Sequence, residues 1–598
     1  MANVDHLVLA ARQHQLGGRL VQAEQVLRRA LQADPGRYDA NHLMALVLMN
    51  AGAPDRAEYF IRRAVASRPT DPELHNSLGL VLAAKGASAD AARAFEESSR
   101  LGPAYGPPLL GLGNLRTEAL DFDAAEECYR RAAALTPGDA AVACNAAMLL
   151  LKTGRADEAA AALRAVLKDH PGHLEALDRL AHVLNYVEGA DARDVFEVHA
   201  AYGRLLESLV PAMPPPAQTR EPERRLRVGY LSPDFRAHSV ASFIEPLLEQ
   251  HDRAAFEVLC YSTGKGSDAT TARLRSHAAA WRDVGAVDDG AAAERIRADR
   301  VDVLVELSGH TAGGRLGIMA RRPAPVQATF IGYPHTTGLT RVDVRLVDAH
   351  TDPAGAPTDA RATERLIRVP GCFLCYRPPP MEDDPGVSPA PSAGGAPVTF
   401  GSFNHLPKVG PGLVALWSRV LLGVPRSRLV LKSINLVGGA TRERLLGRFA
   451  AAGVDPRRVE LLAGLPSRRE HLGAYARVDV ALDTFPYHGT TTTCEALWMG
   501  VPVVTLAGDV HASRVGVGLL KAADLAELIA GTPDGYVALA ASWAGDPARL
   551  ASLRGSLRER VRGSGLCDGP GYARRIETAL RGAWRAWCAD ARRGVHQR

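Results

Sequence analysis

The sequence predicts a domain of helical repeats followed by an α/β region built in two halves. Three observations point to this fold class. Prolines recur at intervals of 34 residues through the first 171 positions. After a Pro-rich, charged segment at 211–226, short β-type runs alternate with helix-like segments. A second break, rich in Pro, Gly and Ser at 378–397, divides this alternation into two parts of similar size.

The repeat is visible at three positions of each unit. A proline ends one unit and starts the next, a small alanine lets the second helix approach the first, and a glycine allows the turn between them. These positions are Pro35, Pro69, Pro103, Pro137 and Pro171; Ala23, Ala57, Ala91, Ala125 and Ala159; and Gly18, Gly52, Gly86 and Gly154, with Leu120 replacing the expected glycine. This is the tetratricopeptide pattern.

Five units cover about residues 2–171, and a degenerate sixth extends the repeat domain, 1–210. Such stacks form a superhelix with a concave groove for an extended peptide or a partner protein. Taken alone, the repeats favour a scaffold without a catalytic role.

The α/β region follows the linker at 211–226 and predicts two Rossmann-like lobes, 227–395 and 396–562, before a C-terminal helical segment, 563–598. Alternating strands and helices indicate doubly wound parallel sheets, whose active sites lie at the carboxyl ends of the strands. We therefore expect the site in the cleft between the lobes. The predicted strands are 227–231, 256–261, 301–307 and 327–331, then 398–403, 429–431, 459–462, 478–482 and 501–506, with helices at 269–279 and 291–298.

Composition excludes several classes of protein. Hydrophobic residues make up 46% and charged residues 23%, which is typical of globular chains. The net charge of +5 and the aromatic content of 6% argue against a nucleic-acid binder. No apolar run is long enough to span a membrane and no signal peptide is evident, and the eight cysteines are scattered. We expect a cytoplasmic protein without membrane association.

No metal site is predicted. Cys372 and Cys375 form a CFLC motif in an apolar, strand-like run, but no second pair or nearby histidine completes a zinc set, so we interpret them as buried thiols. The histidines His238, His310 and His335 lack the helical spacing and acidic neighbours of a metal centre.

The strongest chemical signal is the segment 483–500, DTFPYHGTTTTCEALWMG. A strand ends before it, a turn containing Gly489 follows, and Thr490, Thr491 and Thr492 open a helix that carries Glu495. Free N–H groups and the helix dipole favour a diphosphate there, and the Glu495 carboxylate can accept two ribose hydroxyls. The alternative is an ordinary threonine N-cap. The absence of GxGxxG after a strand and of GxxxxGK[ST] argues against dinucleotide enzymes and P-loop ATPases.

Several motifs resemble the O-GlcNAc transferase/SPINDLY family over essentially the whole chain. They include VGYLSPDFRAHSVASFIEPLL, VLVELSGHTAGGRLGIMARRPAPVQATFIGYPHTTGL, CFLCY, TFGSFNHLPK, LDTFPYHGTTTTCEALWMGVPVVTLAG and LCDGPGY. Details such as SPDFRAHSV and ELSGHT are more similar to the SPINDLY branch. The resemblance implies a tetratricopeptide superhelix followed by a two-lobed catalytic region of the GT-B type that needs no metal or other cofactor.

The resemblance also assigns site residues. Lys408 matches the basic side chain on the diphosphate, the three threonines match the phosphate-binding helix start, and Glu495 matches the ribose carboxylate. The base-side segment contains His471, with Arg468 as a looser match. His238 matches the active-site histidine near sugar and acceptor. The remaining expectations are a supporting donor-side contact from His405, and acceptor-side or sugar-side contacts from His310, His335 and Thr336.

The implied reaction is an inverting transfer of a sugar from a nucleotide sugar to Ser or Thr of proteins recruited by the repeats. The family implies UDP-GlcNAc as donor, whereas the SPINDLY resemblance implies GDP-fucose. His238 or a phosphate oxygen would accept the hydroxyl proton. The alternatives are a tetratricopeptide adaptor with a non-catalytic GT-B region and a transferase acting on lipids or small molecules. The sequence leaves open whether the protein is a homodimer.

Overall fold

The computed structural model describes residues 4–215, 217–355 and 357–595, with side chains described up to 590. The described residues divide into two compact units between Leu150 and Leu151. This division differs from the predicted domain boundary near residue 210. The last repeat helices belong to the second unit because they pack directly on the first α/β lobe, for example through Asp178, whose carboxylate contacts His310.

Helices account for the repeat region, and twelve of them lie within its described residues. They are α1 (Val4–Leu16), α2 (Leu20–Ala33), α3 (Tyr38–Asn50), α4 (Pro54–Ser67), α5 (Pro72–Ala84), α6 (Ser88–Leu101), α7 (Pro107–Glu118), α8 (Phe122–Leu135), α9 (Ala140–Lys152), α10 (Ala156–Asp169), α11 (Leu174–Leu184) and α12 (Ala192–Leu209).

The predicted roles of the small and turn positions are confirmed. Every alanine of the repeat position, from Ala23 to Ala159, is completely buried. Gly52 has a φ of 70°, and Leu120, which replaces the glycine in the fourth unit, adopts the same left-handed conformation with a φ of 61°. The turn geometry of the repeat is therefore retained at Leu120 despite the cost of this conformation for a residue with a Cβ.

The first lobe contains a parallel sheet of seven strands in the order β3-β2-β1-β4-β5-β6-β7. The register pairs Leu226 with Phe256 in β1 and β2, and Val228 with Val303 in β1 and β4. The strands are β1 (Leu226–Ser232), β2 (Phe256–Ser262), β3 (Ala280–Asp283), β4 (Val303–Glu306), β5 (Val326–Thr329), β6 (Val344–Asp348) and β7 (Arg365–Val369). Its helices are α13 (Ser239–Gln250), α14 (Ala269–Ser276), α15 (Asp289–Ala298) and α16 (Leu316–Ala320).

The second lobe repeats this topology in a six-stranded parallel sheet of order β10-β9-β8-β11-β12-β13. The strands are β8 (Thr399–Ser402), β9 (Arg428–Lys432), β10 (Val459–Leu462), β11 (Val480–Leu482), β12 (Val503–Leu506) and β13 (Ile529–Ala530). Its helices are α17 (Pro411–Gly423), α18 (Gly439–Ala451), α19 (Arg468–Gly473), α20 (Thr491–Trp498), α21 (Val515–Ala522), α22 (Pro533–Ala544) and α23 (Pro547–Arg562). In each lobe the strand order reverses beside the first strand, which is where doubly wound sheets bind ligands.

The last helix, α24 (Gly569–Val595), returns to the first lobe. The Tyr572 hydroxyl donates to the carbonyl oxygen of Phe373 over 3.1 Å, and the Glu577 carboxylate contacts His251 Nδ1 at 2.9 Å. The predicted C-terminal helical segment thus packs on the first lobe. None of the helices in the described part of the chain is long and apolar enough to cross a membrane.

The apolar, strand-like run at the CFLC motif does not form a strand. Residues 372–376 form no strand, because their backbone groups bond outside any ladder: Phe373 N–H donates to the Asp348 carboxylate and Tyr376 N–H to the Leu566 carbonyl. Cys372 and Cys375 are nevertheless buried, as expected, and burial raises the pKa of both thiols.

Candidate active site

A cavity of about 550 Å³ lies between the two lobes at the carboxyl ends of their strands. Its wall includes residues that follow β5, β8, β9, β11 and β12. Six predicted site residues line it: His238, His405, Lys408, Thr490, Thr491 and Thr492. The cavity is therefore where the sequence motifs of both lobes meet.

Lys408 is held on the cavity wall by two neighbouring residues of the glycine turn. Its Nζ donates to the carbonyl oxygen of His488 over 2.6 Å and lies 4.0 Å from the centre of the Tyr487 ring. Burial lowers the pKa of Lys408 to about 8. The charge of Asp483 offsets part of this effect, but no carboxylate of the described residues forms an ion pair with Lys408. A bound anion would supply a direct counter-charge.

The start of α20 is not an ordinary threonine N-cap. Thr490 occupies the N-cap position, yet its side chain makes no capping hydrogen bond. The hydroxyl of Thr491 is buried and has no hydrogen-bond partner in the described structure, whereas the Thr492 hydroxyl donates to Asn404 Oδ1 over 2.9 Å. The first N–H groups of a helix also lack intrahelical partners. This helix start therefore presents unused donors to the cavity.

Gly489 shapes the turn and does not line the cavity. Its N–H donates to Asp483 Oδ1 over 2.7 Å. A Cβ at this position would lie 2.6 Å from the Thr492 hydroxyl and 3.0 Å from Asn404 Oδ1. Only glycine fits, because the turn must bring the backbone close to the first turn of α20.

A chain of hydrogen bonds leads from the cavity wall to Glu495. Lys432, at the end of β9, lines the cavity and contacts His471 Nδ1 at 2.6 Å. His471 Nε2 lies 2.9 Å from Glu495 Oε2. Because the ammonium donates to Nδ1, His471 carries its proton on Nε2 and donates it to Glu495. The sequence prediction named His471 and Glu495 but missed Lys432, although the carboxyl end of a strand is a position that can indicate a site residue.

His238 is the N-cap of α13 and lies on the opposite lobe of the cavity. Its Nδ1 accepts the N–H of Val240 over 3.3 Å, while Asp234 Oδ1 is 3.6 Å away, too far for a hydrogen bond. Burial lowers the pKa of His238, which favours the neutral ring. The neutral ring then carries its proton on Nε2, so His238 offers a donor to the cavity.

His405 and Arg468 are peripheral. His405 is exposed at the cavity rim, and its Nε2 lies 3.3 Å from the Asn435 amide nitrogen. Arg468 begins α19, whose capping box is formed by Ser467 and Glu470, and is not among the described residues that line the cavity.

The predicted acceptor-side residues do not line this cavity. His310 is buried, with Nδ1 2.6 Å from Asp178 and Nε2 3.0 Å from the Thr337 carbonyl oxygen. Thr336 is completely buried and its hydroxyl bonds to Glu364 and Thr363. The polar atoms of both residues are therefore used in internal hydrogen bonds. The hydrogen bond between His310 and Asp178 connects the first lobe to α11.

His335 is likewise displaced from the expected place. It lines a second cavity of about 610 Å³ with residues that follow α11 and β12. Its ring stacks on His199 with centroids 4.4 Å apart, and burial lowers its pKa to about 3. The histidine therefore remains neutral and serves packing between α12 and the first lobe.

His511 is a cavity residue that the sequence prediction missed. It follows β12, is 6% exposed, and its Nδ1 lies 2.6 Å from the buried carboxylate of Asp352 in the other lobe. Its position in a loop after a strand was the available signal. Within the described residues, no group of three or more His, Cys, Asp or Glu side chains has the arrangement of a metal site.

Comparisons with known proteins agree with this architecture. The model of glycosyl transferase family 41 matches residues 210–376 and 393–576, and tetratricopeptide models match residues 17–80 and 110–177. A solved structure, that of a mutant of the Thermobaculum terrenum O-GlcNAc transferase, is 38% identical and has a TM-score of 0.81. The match covers 87% of this chain and 98% of that one.

Curated plant proteins are also similar. The Solanum lycopersicum protein named "Probable UDP-N-acetylglucosamine--peptide N-acetylglucosaminyltransferase SPINDLY" is 44% identical over 71% of this chain, and its Arabidopsis thaliana counterpart is 44% identical over 68%. The matches cover 45% and 44% of those proteins, so this chain spans less than half of their length. With matching motifs, topology and family model, the chain belongs to glycosyl transferase family 41.

Proposed function

We propose that the protein is an inverting, metal-independent O-glycosyltransferase that moves a sugar from a nucleotide sugar to Ser or Thr of protein acceptors. One observation carries the proposal: the Lys408 ammonium and the uncapped start of α20 line one cavity. Both are positive features without an anionic partner in the described structure. A nucleoside diphosphate fits them because its charge satisfies the lysine, the helix dipole and the Thr491 hydroxyl together.

The same residues suit the chemistry of the transfer. As the acceptor oxygen attacks the anomeric carbon, negative charge grows on the leaving diphosphate. Lys408 and the N–H groups of α20 stabilise that charge from fixed positions, which is electrostatic preorganisation. His238 donates a hydrogen bond from Nε2 to the sugar or the acceptor. Glu495, oriented by His471, keeps its second carboxylate oxygen for the ribose hydroxyls.

The repeats support proteins as the acceptors. The tetratricopeptide architecture is a peptide-binding and protein-binding scaffold. Tyr186, which follows α11, reaches the cavity wall, where its ring lies 5.1 Å from that of Tyr487. An acceptor bound along the last repeat helices would therefore enter the site beside the donor. We further propose that the protein works in the cytoplasm, where its buried thiols such as Cys372 and Cys375 stay reduced.

The proposal has two versions, which differ in the nucleotide sugar that acts as donor. The names of the relatives refer to UDP-N-acetylglucosamine. The motifs that resemble the SPINDLY branch favour GDP-fucose instead. Incubating the protein with a bacterial or plant protein extract and either donor, followed by mass spectrometry, would identify the sugar added to Ser or Thr. We expect one donor to be used.

Lys408→Ala is the decisive variant for this assay. Loss of one electrostatic contact of this type lowers the rate by about 10² to 10³. Lys521→Ala is the matched control, because Lys521 is an exposed lysine at the end of α21. Equal activity of Lys408→Ala and the wild type would refute the role of this lysine. Absence of transfer from both donors by the wild type would instead support the adaptor alternative.

A further inference from the structure

His511 and Asp352 form a carboxylate–imidazole pair on the wall of the cavity. His511 Nδ1 lies 2.6 Å from Asp352 Oδ2, and the Asp352 side chain is completely buried. The ring also packs edge-on against Phe373, with centroids 5.1 Å apart. Two contacts thus fix the orientation of the imidazole, one polar and one apolar.

The protonation state of the pair follows from its environment. Burial by itself raises the pKa of Asp352, but the charge of the His511 imidazolium, its hydrogen bond and the charge of Arg345 lower it more, so the carboxylate is ionised beside the protonated ring. When the ring gives up one proton, the ionised carboxylate keeps the other on the nitrogen that it contacts. The carboxylate accepts the proton on Nδ1 of His511. A neutral His511 therefore has its lone pair on Nε2, which has no hydrogen-bond partner in the described part of the chain. Other charged or titratable side chains around the pair are His335 and Arg345.

The two other histidines on the cavity wall do not combine a fixed Nδ1 donor contact with a vacant lone pair on Nε2. The Nδ1 lone pair of His238 accepts the Val240 N–H, which leaves a proton on Nε2. The Nε2 atom of His405 faces the Asn435 amide, and the ring is exposed at the rim. Among the histidines that line the cavity in the described structure, His511 is the one with both a fixed donor contact and a vacant lone pair.

We propose that His511 is the general base of the transfer reaction and that Asp352 is its positioning residue. This inference rests on the proposed function. The acceptor oxygen forms a bond to the anomeric carbon, and the bond from that carbon to the diphosphate oxygen breaks. The hydroxyl proton moves to Nε2 of His511, and the electron pair of the broken bond leaves with the diphosphate. The imidazolium is stabilised by Asp352 and returns its proton to water as the products leave.

The test measures transfer and nucleotide binding for His511→Ala in the full-length protein. We expect kcat to fall by about 10² to 10⁴, the usual contribution of a general base. The Kd of the nucleoside diphosphate should not change. Added imidazole should restore part of the transfer rate, since it can occupy the vacated space and accept the proton. His170→Ala is the control, because His170 is an exposed residue at the end of α10.

Two further variants separate catalysis from folding. His511→Gln keeps a side-chain donor for Asp352 but cannot accept a proton in the same way, so it should fold and stay slow. Asp352→Asn replaces the carboxylate by a neutral amide, whose NH2 group can donate to Nδ1 and move the ring proton to Nε2, so kcat should fall while the Kd of the nucleotide stays unchanged. Thermal unfolding of each variant shows whether the fold is retained.

Three outcomes would overturn the inference. The first is transfer by folded His511→Gln at the wild-type rate. The second is a rise in the KM of the donor with unchanged kcat, which would make His511 a sugar contact. The third is a slow His511→Ala protein that imidazole does not rescue. If the wild type binds the nucleotide but transfers no sugar, the proposed function itself fails and the base assignment fails with it.

Discussion

The Lys408 side chain is the charged group on which the proposed diphosphate site depends. A lysine in water titrates far above neutral pH, whereas burial lowers the pKa of Lys408 to about 8. The His488 carbonyl and the Tyr487 ring orient the ammonium but bring no full negative charge. Its charge is therefore available to a ligand near neutral pH.

This pKa predicts how nucleotide affinity depends on pH. Below pH 8 Lys408 is an ammonium and attracts the diphosphate, and above pH 8 the empty site loses its proton. Nucleotide binding must then return the proton to Lys408, so the affinity for the nucleotide should fall about tenfold per pH unit above this pKa. The decline ends at the pH where Lys408 no longer takes up a proton on binding. Calorimetry from about pH 7 to about pH 9.5, a range that spans the lowered pKa and stays below the ordinary lysine pKa of about 10.4, measures this decline together with the proton uptake.

Lys408→Met is the control for the pH dependence. It removes the titrating group and keeps an apolar side chain of similar length, so its weaker binding should vary little over the same pH range. A decline of equal slope in Lys408→Met would show that another group titrates, and the pKa of Lys408 would not govern binding.

At the scale of elements, α12 and the loop after β5 approach each other through their backbones. A Cβ on Gly203 would lie 1.8 Å from the Gly338 carbonyl oxygen, and one on Gly338 would lie 1.9 Å from the His199 carbonyl oxygen. Gly338 also has a φ of +77°. These contacts explain why the last repeat helices belong to the same compact unit as the lobes.

Gly203→Ala should therefore destabilise this packing. The methyl group would have to push α12 away from the backbone of the loop, and overpacking of this kind costs about 1–3 kcal/mol. Chemical denaturation with a probe in the second unit measures the loss. Gly172→Ala is a matched control, because a Cβ there meets no atom within 4 Å. Equal stability of the two variants would contradict the close approach.

The elements that the sequence predicted share a clear physical signal. The strands β1, β2, β8 and β12 are apolar runs bounded by turn residues, and the 34-residue period specified the repeat helices. The strands β6 and β7 were missed because charged residues interrupt them: Arg345 and Asp348 lie within β6 and are buried all the same. Contacts with residues that are distant in sequence stabilise such residues in a strand, and the local sequence pattern does not show these contacts.

The candidate site was predictable to a similar degree. Lys408, His238 and the threonines of α20 lie in motifs that are continuous in sequence, and the structure brings them to one cavity. The pairs Lys432–His471 and Asp352–His511 join residues 39 and 159 positions apart. No spacing rule links such positions, and only the fold shows that their side chains meet.

At the scale of the whole molecule, two sheets of the same topology turn their carboxyl ends toward one cavity. The second lobe contributes Lys408, His511 and the start of α20 to the cavity wall, and the first contributes His238. Asp352 of the first lobe contacts His511. The last repeat helices pack on the first lobe and place Tyr186 on the cavity wall. In the proposed reaction, this arrangement would bring the donor, the acceptor and the proton acceptor together in one cavity.

The most direct measurement is the affinity of UDP and GDP for the wild type and for Lys408→Ala. We predict that one nucleotide binds the wild type more tightly than the other. We also predict that Lys408→Ala weakens this binding by about 10-fold to 100-fold, the loss of one charge-assisted contact of about 1.5–3 kcal/mol. Failure of both nucleotides to bind the wild type, or equal affinities for Lys408→Ala and the wild type, would contradict the assignment of this cavity as the donor site.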